Sequence, residues 1–503
     1  MGTHRRFLIL LAVMAAGLLW VLSPKFFPFT FDSMVYISTA QHIRLGHGLI
    51  CSNFYIEKST KDFIPLDMEP PGYPVLASLF MFLGMSGFTA GLLVPRLCFL
   101  LLPFLFYSIF KRLTAPSRAM VGAFVCTFMF AAVRCALMAW SDIPCLCFSL
   151  MALLLAFRVI EQGGKAPVLL VLSAGAAAGY TYLIRFVGVT LIFSIAAGFA
   201  AWVILKLVSK KDFFKTIFIY LAGTAMVTGP YFYRNWHVWG RIQSYAAPPS
   251  HVGWAKNIMD YLGGIAVMFW GDASMKGLAL LVILVAGAVM LAHSRKALQG
   301  NRRVFVFTVI LAVYFLTNSV VLVAFRSIWY SVEKIDSRYL VQIVWILMFA
   351  AVAAAGRGID FLKNRQGLNK ARTAGFLLFA FCVIQVVSAQ GALKYEKNQL
   401  AYSKIIEHYV PLLQKVPKDF VIVTNFPELV YYHVPRNVRA LNIYTPGDLA
   451  YFKRKFAVFL IKDGWNSAKK WGWYKPAWIF PAGYHILFAD GHVDLLCLHQ
   501  RKI

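Results

Sequence analysis

Charge is what this chain has least of. Of its 503 residues only 14% are Asp, Glu, Lys or Arg, while 60% are hydrophobic. Water-soluble domains run nearer a quarter charged and half apolar, so the composition excludes an ordinary soluble globular protein. Acids are the scarcer sign, with 21 Asp and Glu against 50 Lys and Arg, a formal net charge of +29. In a soluble protein that excess would point to nucleic acid. In so apolar a chain it reads instead as Lys and Arg gathered in loops on one side of a membrane. The eight cysteines and eleven histidines include no metal-ligand spacing such as HExxH, which argues against a motif-defined zinc site. No heptad array, solenoid period or low-complexity tract occurs, and there is neither a two-half repeat nor a matched pair of Gly/Pro-broken apolar segments, the pattern that transporters often show.

What is present is a series of apolar runs. A transmembrane helix needs about 20 mainly apolar residues. By that rule eleven spans fall near 7–23, 88–110, 119–138, 143–160, 167–183, 186–206, 215–233, 274–293, 304–325, 339–355 and 374–391. The first follows MGTHRR and leads into Ser-Pro-Lys and large aromatics, with no small-residue cleavage site, so it is expected to stay as an uncleaved span. With Arg5 and Arg6 inside, every second connection carries a basic cluster: Lys111, Arg112 and Arg118; Arg158 and Lys165; Lys206, Lys210, Lys211 and Lys215; Arg295, Lys296, Arg302 and Arg303; then 357–372. Parity holds only if the apolar stretch Pro74–Gly84, about half the length needed, does not cross. It is read as a re-entrant or interfacial segment.

After residue 391 the pattern changes. Short β-type runs at 421–424, 457–461 and 486–488 are broken by Asn-Phe-Pro, Pro-Gly-Asp and Asp-Gly turns. The expected architecture is an α-helical polytopic membrane protein, with a transmembrane domain over 1–391, an outer-face loop with interfacial helices over 24–87, and a soluble α/β domain over 392–503. An odd number of spans places that last domain opposite the N-terminus, on the same side as the loop.

Acids at a membrane edge are costly to place and usually functional. The outer-side set is Asp32, Glu57, Asp62, Asp67, Glu69, Asp142, Asp260, Asp272, Glu333 and Asp336. Asp32 starts a helix just past the first span, and Asp142 begins the fourth in Trp-Ser-Asp-Ile-Pro. Either could simply be a helix cap, although Ser33 could cap the first helix in place of Asp32. The outer-face cations are few and include Arg185 in Tyr-Leu-Ile-Arg-Phe, Arg234 followed by Asn235, and Arg338 followed by Tyr339. Each could be an arginine snorkelling in an aromatic belt. Converging, they would suit a phosphate-bearing lipid, because guanidinium grips phosphate through paired N–H donors. Among the histidines, His42 and His47 flank the helix after Asp32, and His251 with an acid such as Glu69 is the candidate for a divalent metal ion.

Taken together, FDSMVYISTAQHIRLGHG after the first span, the following EPPGYP, SDIP at the fourth span, Arg185, Arg234–Asn235 and Arg338–Tyr339 resemble the GT-C membrane glycosyltransferases. The branch resembled comprises bacterial relatives of protein O-mannosyltransferases and of the lipid A aminoarabinose transferase. The resemblance covers about the first 390 residues. It implies an inverting transfer of a hexosyl or pentosyl unit from a polyprenyl-phosphate-linked donor to lipid A, a surface glycan or a protein, at the outer face of a bacterial inner membrane. It implies Asp32 as general base, with Asp142 and Glu69 helping to place acceptor, donor or metal. Arg185, Arg234, Asn235, Arg338 and Tyr339 would meet the donor phosphate. The chain departs from the aminoarabinose branch in lacking a Lys between Glu69 and the Pro-Pro, and from the mannosyltransferases in having Ser33, not Glu, after Asp32. The rival reading of the same residues is a polytopic transporter or lipid flippase.

Overall fold

The computed structural model describes residues 2–23, 28–52, 63–67, 69–244, 250, 252–270, 272–328, 335, 337–366 and 385, and in the C-terminal part 403–404, 406–411, 413–414, 421–424, 427–434, 438–440, 456–461, 484–489 and 493–498. Glu57, Asp62, His251, Glu333 and Asp336 lie outside these residues, as does the span expected over 374–391 apart from Gln385.

The helices in order are α1 (Gly2–Leu22), α2 (Phe31–Arg44), α3 (Gly72–Phe82), α4 (Gly87–Phe110), α5 (Pro116–Thr127), α6 (Phe130–Leu137), α7 (Asp142–Gln162), α8 (Val168–Ile184), α9 (Val189–Ile204), α10 (Lys210–Trp239), α11 (Trp254–Trp270), α12 (Lys276–Gly300), α13 (Arg302–Ile328), α14 (Ser337–Gln366) and α15 (Pro427–His433). Among the described residues, seven are long and apolar enough to cross a membrane, eight if α5 and α6 form one bent span. α3 has 11 residues, which at 1.5 Å per residue reaches only about half the hydrocarbon thickness.

The chain divides into two compact units, the first being Met1–Pro24, Asp67–Leu76 and Leu92–Leu393. In it the basic loops gather at one end of the helices. His4 lies 3.3 Å from the Met120 sulfur, Arg112 pairs with Glu161 at 2.7 Å, and Arg302 donates to the Leu205 carbonyl at 3.5 Å. α7 runs from that end to Asp142; its 21 residues at 1.5 Å each span about 30 Å, one hydrocarbon thickness. α8 and α10 pack backbone to backbone, with Gly175 against the Tyr220 carbonyl and Gly223 against the Leu172 carbonyl. A side chain at either glycine would push the helices apart, and the approach lets Thr224 Oγ1 donate to the Gly175 carbonyl at 3.1 Å.

The expected continuous span over 119–138 is in fact broken. α5 and α6 meet at an angle of 51°, at Phe128–Met129, where the sequence has neither Gly nor Pro. A break inside a membrane must satisfy its backbone within the protein. Here the Phe130 N–H donates to the buried Gln385 Oε1 at 2.6 Å, so a side chain from far along the chain replaces the missing intrahelical acceptor.

The second unit is Lys25–Leu66, Ala77–Gly91 and Lys394–Ile503. Its C-terminal part holds a mixed five-stranded sheet of β3 (Val421–Thr424), β4 (Val438–Ala440), β5 (Phe456–Ile461), β6 (Tyr484–Ala489) and β7 (Val493–Leu498) in the order β4-β3-β5-β7-β6. β3 runs parallel to β4 and β5, whereas β7 is antiparallel to β5 and β6. The loop contributes α2 and a hairpin of β1 (Ile50–Ser52) and β2 (Phe63–Pro65). α15 joins the two parts. Tyr432 stacks on Phe29 with ring centroids 5.1 Å apart and meets Phe88 edge-on at 5.0 Å, while Tyr431 hydrogen-bonds Ser52 and Ser38.

Histidine makes this unit sensitive to acid. His42 is buried, with its Nδ1 3.1 Å from that of His47, and burial followed by the His47 charge holds its pKa below the usual 6.5. The unfolded chain therefore takes up the proton first, so stability rises with pH across this range and is lost as pH falls through about 6.5. Thermal melting of the purified protein between pH 5 and 8 should show this loss, and His42→Gln should flatten it.

Candidate active site

The two helix-start acids are not caps. α2 is capped by Thr30, whose N–H donates to Ser33 Oγ at 3.0 Å, leaving Asp32 at the second helical position, half-buried in the first turn. The cap is thus Thr30, not the Ser33 the sequence suggested, and Ser33 serves as its partner at the third helical position. For α7 the cap residue is Ser141, and Asp142 is the first helical residue. There the helix dipole favours an anion without requiring that side chain to cap.

Asp142 is the centre of a buried cluster in the first unit. It is 0% exposed, and its Oδ1 lies 3.1 Å from Arg185 Nη1, which also donates to Ser141 Oγ at 3.1 Å. Arg185 can reach it because the chain leaves the helix at that residue. α8 ends at Ile184, Arg185 is extended (φ −149°, ψ 135°), and a 3-10 turn follows at Phe186–Gly188. α14 supplies the other wall: Arg338 lies 4.8 Å over the Trp140 ring and 4.9 Å over Tyr339, to whose hydroxyl its Nη2 donates at 3.1 Å. Arg185 lies 5.4 Å over the other partner of that stack, Tyr339. One helical turn on, Gln342 Nε2 donates to the Asp142 carbonyl at 2.6 Å, locking α14 to the start of α7. The kink between α5 and α6 leads to a third guanidinium, Arg134, 5.4 Å over the Trp140 ring.

In these contacts one guanidinium, Arg185, meets the Asp142 carboxylate, while Arg134 and Arg338 gather on the neighbouring Trp140 and Tyr339 rings. Aromatic faces hold the guanidinium planes by cation–π attraction, and three arginines gather beside one buried aspartate at this end of an apolar bundle. That is an electrostatic environment for a phosphate-bearing group. The structure brings together four of the residues picked from the sequence: Asp142, Arg185, Arg338 and Tyr339. Arg134, Trp140, Ser141 and Gln342 were missed, though a lone arginine in the apolar run FAAVRCAL was a signal that could have found the first.

Arg234 and Asn235 belong to a second polar group at the C-terminal end of α10. Arg234 Nη1 donates to Asn235 Oδ1 at 3.0 Å, and the buried Asn235 donates to the Ile242 carbonyl at 2.9 Å. The turn so held carries Ser244, which bonds the Tyr231 hydroxyl at 2.9 Å and donates to the Asp67 carbonyl at 2.7 Å. Asp67 begins the segment containing Glu69 and EPPGYP. Gly72 fixes that segment against α8: its carbonyl accepts from the Tyr180 hydroxyl at 2.9 Å, and a Cβ there would stand 2.6 Å from the Leu183 carbonyl oxygen and 2.8 Å from the Ile184 nitrogen. Glu69 is thereby held three residues from a contact that adjoins Arg185. Gly72→Ala should destabilise the protein by about 1–3 kcal/mol as overpacking against backbone, read as a lower melting temperature.

Asp260 pairs with Arg326 at 3.8 Å between α11 and α13. Asp272 caps the turn before α12 by accepting from the Ser274 N–H at 2.8 Å. No group of three or more His, Cys, Asp or Glu that could hold a metal occurs among the described residues, and His251 of the expected pair with Glu69 lies outside them.

Residues 68–229 match the family model of dolichyl-phosphate-mannose-protein mannosyltransferase. The matched segment contains Glu69, Arg134, Asp142 and Arg185. No curated protein matches the chain by sequence. In fold, the chain is similar to ArnT from Cupriavidus metallidurans bound to undecaprenyl phosphate, with 11% identity, a TM-score of 0.57 and 97% of each chain covered. It is also similar to the archaeal oligosaccharyltransferase AglB from Archaeoglobus fulgidus in complex with an inhibitory peptide and a dolichol-phosphate, with 12% identity, a TM-score of 0.57, and 93% of this chain and 70% of that one covered. The chain is therefore an integral membrane protein, and its likeness in fold to ArnT and AglB, of GT-C type, extends along nearly its whole length.

Proposed function

We propose that this protein is a glycosyltransferase that takes a sugar from a polyprenyl-phosphate-linked donor and passes it, with inversion, to an acceptor at the membrane surface. The observation that carries the reading is the gathering of Arg134, Arg185 and Arg338 on Trp140, Tyr339 and the buried Asp142 at the end of the bundle opposite its basic loops. A phosphate leaving group needs nearby positive charge more than a strong acid, and guanidiniums held in advance supply it as charge develops. The family model of mannosyltransferases over 68–229 and the carrier lipids named with ArnT and AglB support the same donor class.

In the reaction, the acceptor hydroxyl gives its proton to the Asp32 carboxylate, its oxygen forms a bond to the anomeric carbon, and the bond from that carbon to the phosphate oxygen breaks on the other face of the ring. Polyprenyl phosphate leaves toward Arg185, Arg338 and Tyr339, with Arg234 and Asn235 as further donors. Glu69 and Asp142 place acceptor and donor. A divalent ion at Glu69 and His251 is a separate part of the proposal, checked by metal analysis of the purified protein; no step above runs through it. The wider reading has eleven spans, the N-terminus cytoplasmic, and the active-site loop and a C-terminal α/β domain over 392–503 on the periplasmic face of a bacterial inner membrane. The sugar is a hexose or pentose, and the acceptor lipid A, a surface glycan or a protein. Mass spectrometry of surface glycolipids and glycoproteins from cells with and without the gene tests this: loss of one sugar from one acceptor class is expected, and identical glycan profiles would overturn it.

A further inference from the structure

The basic end of the first unit contains a feature that sugar transfer does not use. A cavity of about 270 Å³ lies beneath α12, far larger than the water-sized voids of a packed interior. α12 is the least buried of the candidate spans, with 11% of its apolar window inside the protein, so the cavity sits at the lipid-facing edge of the bundle. It is lined by Arg118, near the start of α5, by His293 and Lys296, near the end of α12, and by the apolar Leu311, Ile346 and Phe349. No acid is among the described residues that line it. The surrounding contacts, His4 with Met120 and Arg112 with Glu161, place these cations among the other basic loops, about 30 Å along α7 from the Asp142 cluster.

We propose that this cavity binds an anionic membrane phospholipid, its phosphate at Arg118 and Lys296 and one acyl chain along Leu311, Ile346 and Phe349. Cations near helix ends and apolar residues further along the helices match the two ends of such a lipid, and basic pockets between helices recognise anionic headgroups in this way. The site is separate from the donor site and does not depend on the proposed reaction.

The test uses the full-length protein in neutral detergent, with bound lipid counted by native mass spectrometry during titration with phosphatidylglycerol, phosphatidylcholine or glycerol 3-phosphate. Binding of phosphatidylglycerol well above the other two is expected, because neither the zwitterionic lipid nor the soluble headgroup satisfies both ends of the cavity. Arg118→Gln with Lys296→Gln should weaken it about fivefold per charge removed. Ala353→Phe, which fills the cavity without changing charge, should weaken it as well. Arg302→Gln with Arg303→Gln removes the same charge elsewhere at this end and should have a smaller effect. Equal losses in the two charge variants, unchanged binding in both cavity variants, or glycerol 3-phosphate binding as tightly as phosphatidylglycerol would each overturn the proposal.

Discussion

Arg185→Gln is expected to cut sugar transfer by about 10²–10³-fold, the size of effect seen when one preorganised donor is taken from a developing anion. It should also destabilise the protein by about 3–5 kcal/mol, because removing one partner of a buried pair leaves the other as a buried charge. Asp142 is 0% exposed and Arg185 stands 3.1 Å from its Oδ1. The two effects separate in a double variant. Asp142→Asn combined with Arg185→Gln removes both charges, so melting temperature should recover most of the way. Activity should not recover, since the guanidinium is what the leaving phosphate needs. If the double variant regained both, the pair would be structural and the phosphate site would have to lie elsewhere.

Asp32→Asn should lower transfer by about 10²–10⁴-fold, the usual contribution of a positioned general base, with little change in stability. The cap of α2 is the Thr30–Ser33 pair, so the substitution leaves the helix start intact, and the first-turn dipole interaction it removes is about 0.3–1 kcal/mol. Transfer by purified Asp32→Asn at the wild-type rate, with an unchanged melting curve, would refute the base assignment.

Much of this site was legible because charge is so rare in the chain. Where hydropathy sets the spans, an arginine or aspartate at a span end stands out, and Asp142, Arg185 and Arg338 were found by position alone before the fold brought them together. Arg134 was missed because it sits inside a run that reads as one continuous span. The break that brings it to Trp140 depends on Gln385 accepting from the Phe130 N–H, a contact across more than two hundred residues that no local pattern announces. The contact of α15 with the loop had no sequence signal either, since aromatic pairs such as Tyr432 with Phe29 have no fixed spacing. The shortness of α3, by contrast, was already required by the alternation of basic loops, and the helix has 11 residues.

The central claim is that the arginine cluster serves cleavage of a carrier-linked sugar, and one measurement meets it directly. Full-length protein reconstituted in liposomes is given polyprenyl phosphate carrying a radiolabelled sugar, and the lipid products are separated with time. Free polyprenyl phosphate should accumulate with wild-type protein and fail to accumulate with Arg338→Gln. Labelled donor that crosses the bilayer with its sugar still attached, and no free polyprenyl phosphate, would contradict the account and make the protein a lipid transporter.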